Sequence, residues 1–110
     1  MSNSAPAWAR TIILAHRDVT EAVSHGGRLK SSRYFVWTED GRNDLIADNT
    51  HDDICVTGST DLYTRQEFDP WARAIEEAFD ARGVSWQKVD VLFEPDTGFW
   101  HHVWDWQVLN

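Results

Sequence analysis

The chain predicts an α+β fold: a mainly antiparallel sheet of about four to five strands with two helices packed on one face. Three observations carry that expectation. Residues 54–63 alternate apolar and polar side chains and lead into a capped amphipathic segment at 69–83. Two more alternating segments, 88–94 and 99–109, follow it. The turn Pro95-Asp96-Thr97-Gly98 joins those two closely enough for a hairpin. Short connections make consecutive elements neighbours in space, which favours antiparallel pairing.

The elements follow in chain order. Residues 1–6 are rich in Ser, Ala and Pro and read as a flexible lead. Trp8, Ile12, Ala15 and Val19 then recur one helical turn apart. The β-branched run Thr11-Ile12-Ile13 argues for a strand, but the stripe favours a helix. A short strand over 21–25 ends at Gly26-Gly27, which opens a flexible basic loop, 26–32. Tyr34-Phe35-Val36-Trp37 is aromatic and β-branched, hence a strand, and Asp40-Gly41 within the turn cluster Asp40-Gly41-Arg42-Asn43-Asp44 suits a tight hairpin.

Ile54, Val56, Gly58, Thr60 and Leu62 make one face of a long strand. Asp69 is placed to accept from first-turn N–H groups, and Pro70 lacks an N–H where none is needed. Trp71, Ile75, Ala78 and Phe79 recur at helical spacing, and Gly83 supplies the left-handed stop. Val89, Val91 and Phe93 alternate with Lys88, Asp90, Leu92 and Glu94 in the next strand. In the last, Trp100, His102, Trp104, Trp106 and Val108 share the face expected to pack.

At 110 residues the chain is a single domain, 1–110, able to bury about two-thirds of its unfolded surface. Seven Trp, five Phe and two Tyr exceed what one small core hides, so some aromatics are expected at a contact surface. The net charge is -8, and the excess lies after residue 50, where twelve acidic side chains face four basic ones. Such a body does not bind nucleic acid by phosphate neutralisation. The single cysteine, Cys55, excludes an internal disulfide. The first residues lack a signal-peptide pattern and no apolar run spans a bilayer, so a soluble chain made inside the cell is expected.

Candidate chemistry is sparse. His101 and His102 are adjacent on a strand and point to opposite faces, so they do not converge on one ion. His51-Asp52-Asp53 reads as a solvated turn, and Cys55, with acidic neighbours, as a structural thiol. Glu76 and Glu77 read as helix solvation. No residue is assigned a catalytic, cofactor-binding or metal role. The polar feature of most interest is the basic loop, whose Arg28, Lys30 and Arg33 are suited to meet acidic surface on another copy. With Arg42, Trp37, Trp86, Asp96 and Trp100 they form the candidate subunit or partner interface.

Several segments carry a resemblance: Arg33-Tyr34-Phe35-Val36-Trp37, Leu45-Ile46-Ala47-Asp48-Asn49, Asp61-Leu62-Tyr63-Thr64 before a helix, 74–81 followed by Gly83-Val84-Ser85-Trp86, and the closing hairpin. Together, from about Ala22 to Leu109, they resemble the small tail-completion, or tail-terminator, proteins of long-tailed bacteriophages. The resemblance implies an α/β subunit of a hexameric ring that sits on the finished tail tube and stops its polymerisation. It also implies a joint to the head connector, DNA passing through the lumen without specific binding, and residence in the virion after synthesis in the host cytoplasm. The wealth of Trp and the Gly-Gly loop depart from that pattern. Two alternatives accompany it: a head-completion connector of the neck, and a small acidic inhibitor that mimics DNA. A metal-dependent enzyme using His51, Asp52, Asp53 and the His101-His102 pair is the weakest reading.

Overall fold

In a computed structural model, residues 5–43 and 55–109 are described, those at 41–43 by backbone alone. Their elements run α1 (Ala7–Arg17), β1 (Val23–His25), β2 (Tyr34–Asn43), β3 (Cys55–Thr64), α2 (Pro70–Ala81), β4 (Ser85–Glu94) and β5 (Phe99–Leu109). The five strands form one sheet in the order β1-β2-β3-β5-β4. β1 lies parallel to β2, and every other pairing is antiparallel. Because β3 and β4 both run antiparallel to β5, they are parallel to each other, and α2 is the crossover between them. The α+β class, with a mostly antiparallel five-stranded sheet and two helices, is what the sequence predicts.

Both helices supply one core on one face of the sheet. Ile12 and Ala15 of α1 and Ile75, Ala78 and Phe79 of α2 pack on Phe35, Trp37, Val56, Leu62, Trp104, Trp106 and Val108. Each large apolar side chain buried there contributes about 1.5–3 kcal/mol. The caps are as expected for α2: Asp69 accepts from the Trp71 N–H at 2.9 Å, and Gly83 has φ +73°. α1 starts without a side-chain cap, and the Pro6 carbonyl accepts from the Arg10 N–H. Thus Ala5 and Pro6, part of the expected lead, are tied to the helix, while residues 1–4 lie outside the described residues.

A buried polar chain runs through this core. Trp106 Nε1 donates to Thr60 Oγ1 at 3.0 Å, and Thr60 Oγ1 lies 2.9 Å from His16 Nε2. His16 Nδ1 lies 2.7 Å from the Ile12 carbonyl, which only accepts. Nδ1 therefore carries the proton, Nε2 accepts from the threonine hydroxyl, and every member is satisfied. Burial pushes the His16 pKa down to about 4, against a smaller raising effect of the Ile12 carbonyl. His16 is thus neutral at physiological pH and packs edge-on against Phe35 and Phe79.

The structure corrects three expectations. Asp40-Gly41 is not the hairpin turn: β2 continues to Asn43, paired with Cys55, and the local irregularity is a register shift between Glu39 and Gly41. Strict alternation in β4 fails at Val89, where a register shift separates Lys88 from Asp90. Lys88 therefore turns inward, over the Trp104 ring at 4.8 Å, while Val89, Val91, Leu92 and Phe93 are all exposed. Glu76 is more than solvation, because it accepts from Trp104 Nε1 at 2.9 Å. Residues 44–54, including the Leu45-Ile46-Ala47-Asp48-Asn49 segment and His51-Asp52-Asp53, lie outside the described residues.

Candidate functional site

The basic loop is attached to its own subunit at two points. Arg28 lies over the Tyr63 ring at 4.0 Å and donates to Glu94 on β4 at 3.0 Å, so the loop spans the sheet face opposite the helices. Hydrogen bonding to Tyr34, the largest influence, and to Glu94 holds the guanidinium firmly charged. Under this cation lies a small aromatic cluster of Tyr34, Val36 and Tyr63, with Ala22 and Phe99 beside it. Arg33 stacks on Trp71 at 3.8 Å and grips the Asp69 carboxylate with two donors, Nε at 2.8 Å and Nη2. Burial alone would raise the Asp69 carboxyl, but bonds from Arg33, Thr64 and the Trp71 N–H hold it below its ordinary value. Lys30 stays exposed and makes no ion pair among the described residues.

The remaining predicted interface residues separate into core and surface. Trp37 is only 5% exposed, stacked on His25 at 4.0 Å and packed near Trp8 and Trp106, so it is a core residue and not an accessible anchor. Trp86 is half-buried and donates to Asp80 at 2.8 Å. Asp96 is exposed at the tip of the β4–β5 turn, and Trp100 lies half-buried against Phe93 at 5.0 Å. Arg42 is placed by its backbone alone, opposite Val56. The structure thus brings Trp100 and Asp96 to the same end of the β4–β5 hairpin, sets Arg33 near it through Asp69 and Thr64, the partner of Trp100 in the sheet, and keeps Trp37 away from it.

That end of the molecule holds an apolar surface which residue counting missed. Phe68, in the turn before α2, is 86% exposed. It lines a cleft of about 430 Å³ with Val91, Lys88 and His102. Val91, 37% exposed, and Phe93, 48% exposed, share the helix-side face with Trp100, yet α2 begins too late to cover them. Leu92, 48% exposed, projects from the other face. β4 is also an edge strand, so its outer backbone groups have no ladder partner among the described residues. The bulge at Val89 and the inward-turned Lys88 blunt the first half of this edge, whereas the second half carries contiguous apolar side chains of the kind that mark contact sites. The signal in the sequence was a lone Phe68 among Gln66, Glu67 and Asp69.

Titratable groups here form two small clusters. Lys88 Nζ donates to His102 Nδ1 at 3.1 Å. Burial, helped by the Lys88 charge, lowers the His102 pKa, and burial likewise lowers that of Lys88 against the pull of Glu76. His102 Nε2 is buried without a well-formed hydrogen bond. On the opposite face His101 stacks on Tyr63 at 4.3 Å, with Asp61 3.3 Å from Nε2 and Glu94 3.7 Å from Nδ1. Among the described residues no three His, Cys, Asp or Glu side chains are grouped to hold a metal ion, and no helix is long and apolar enough to cross a membrane.

Neither protein-family models nor curated protein sequences give a match to this chain.

Proposed function

We propose that the chain is a structural subunit of the neck of a long-tailed bacteriophage. It is a tail terminator that forms a ring, hexameric by resemblance, on the end of the tail tube, stops tube polymerisation and offers the joint to the head connector. DNA passes through its lumen without specific binding, and the protein works by docking rather than by turnover. The observation that carries this reading is the β4 edge past its bulge, where Val91, Leu92 and Phe93 stand exposed with no strand beside them among the described residues. An assembly subunit uses such an edge, and a free-standing protein keeps it covered. Further support comes from the acidic body and from the segments that resemble tail-completion proteins.

Electron microscopy tests the proposal. Purified chain mixed with tube protein is expected to give rings seated on tube ends of uniform length, and particles made without the chain are expected to carry overlong tails. Tails of normal length that fail to join heads would instead assign the chain to the head connector. Normal virions in its absence would remove both.

A further inference from the structure

We infer that successive copies join edge to edge, with β4 of one laid antiparallel against β1 of the next, so that one sheet runs from subunit to subunit with all helices on the same face. This names the subunit contact of the ring proposed above and rests on that reading. Among the described residues the two edges of the sheet are β1 and β4, and neither has a strand on its outer side. At β1 the Phe35 N–H bonds the Ala22 carbonyl and the Gly26 N–H bonds the Trp37 carbonyl. Positions 22, 24 and 26 therefore face β2, and the Val23 carbonyl and both backbone groups of His25 point outward.

Three features favour a second copy's β4 as the occupant. The first is shape. Beside β1, on the helix side of the sheet, lies a groove of about 420 Å³ lined by Trp8, Ile13 and Val23, with the buried Trp37 at its floor and Arg17, Glu21 and Glu39 among its charged residues. Val91 and Phe93 project from β4 on that same side, in register with His102 and Trp100. The second is direction. β1 runs with β2 and therefore opposite to β4, so a rotation that keeps the helices on one face sets the two edges antiparallel, the more stable ladder. The third is charge. Residues 85–109 hold four acidic side chains against Lys88, whereas residues 5–33 hold five basic against two acidic. Arg28 and Arg33 turn inward to Glu94 and Asp69, Arg17 lies 3.9 Å from Glu21 and Glu39 pairs with His25 of β1, so within 5–33 the cations left without a carboxylate among the described residues are Arg10 and Lys30. A two-fold β4–β4 contact sets acid against acid, and a β1–β1 contact has only three residues to pair. Head-to-tail pairing avoids both, and it is the kind of contact from which rings are built when the rotation between copies closes.

Cysteine cross-linking tests this on the full chain with Cys55→Ser as background. Ser24 and Leu92 both lie on the sheet face opposite the helices, paired with Val36 and His101. Mixed Ser24→Cys and Leu92→Cys proteins are expected to form disulfide-linked heterodimers, and the double variant a ladder of species ending at the ring size. Asp90→Cys, on the same face, covers a two-residue difference in register. Phe93→Asp is expected to weaken self-association by about tenfold or more while leaving the melting midpoint near that of the parent. Equal or stronger cross-linking of Leu92→Cys alone would mean two-fold β4 pairing and overturn the inference. Rings seen by negative stain without either cross-link would overturn it too and leave the ring reading standing. A chain that stays monomeric alone and on tube protein, with no cross-link, overturns both.

Discussion

At His16, burial and hydrogen bonding act together to keep a titratable ring neutral inside an aromatic core. Its pKa lies near 4 in the folded chain, below the ordinary 6.5, so the unfolded chain binds more protons between those values. Stability is therefore fully present above about pH 6.5 and declines as pH falls toward 4, by about 3 kcal/mol. His102, also lowered, adds to the same slope. Urea titrations at pH 7.5 and 4.5 are expected to show that difference, and His16→Gln to flatten it. Thr60→Val strands both the Trp106 N–H and the His16 ring nitrogen, at a cost of about 1–3 kcal/mol. Asp69 acts in a lower window. Its carboxyl is held below the ordinary value, so its contribution is present above about pH 3.8 and is lost as pH falls through the folded pKa. Asp69→Ala removes the helix cap and leaves Arg33 unmatched, with an expected cost of about 3–5 kcal/mol in chemical unfolding. Asp69→Asn keeps an acceptor for the Trp71 N–H and is expected to cost less.

Among the elements, the sheet is held tightest where β3 passes Trp106. A Cβ added at Gly58 would run into the Thr38 carbonyl and the Trp106 ring, and a β-sheet backbone has little room to yield. Gly58→Ala is expected to lower stability by about 1–3 kcal/mol, read as a shifted urea midpoint with unchanged slope. Much of this architecture was legible in the chain. Both helices follow from spacing and, for α2, from Asp69-Pro70 and Gly83. The packed face of β5 follows from period-two alternation among Trp104, Trp106 and Val108. What escaped had physical reasons. A bulge at Val89 reverses the faces of β4 midway, and period counting has no term for one extra residue. His16 stands four residues after Ile12 on the buried stripe, but a titratable side chain is counted as polar until its partners, distant in sequence, are known. Trp37 was assigned to a surface because seven Trp seemed too many to bury, an argument from composition that cannot choose which one is outside. The loop cations Arg28 and Arg33 found partners in the same chain, 66 and 36 residues away.

For the whole molecule, the decisive quantity is the net charge of -8, which bears on the proposal that the chain surrounds DNA. Its acidic groups are dispersed and many are committed: Glu94 to Arg28, Asp69 to Arg33, Asp18 to Arg82 and Glu77 to Arg73. Among the described residues these pairs leave few cations that would attract a phosphate backbone. In the ring proposed above, copies would multiply the net charge, and the field in its lumen would repel a duplex and leave it free to slide. Non-specific DNA binders that work through phosphate neutralisation reach dissociation constants of about 10⁻⁴–10⁻⁶ M at physiological salt. The chain is expected to fall outside that range: fluorescence anisotropy of a labelled duplex should stay flat up to about 100 μM protein, even at low ionic strength. A saturable, salt-sensitive isotherm would place Lys30 and its neighbours on the DNA. Its slope against salt would then count the phosphates they touch.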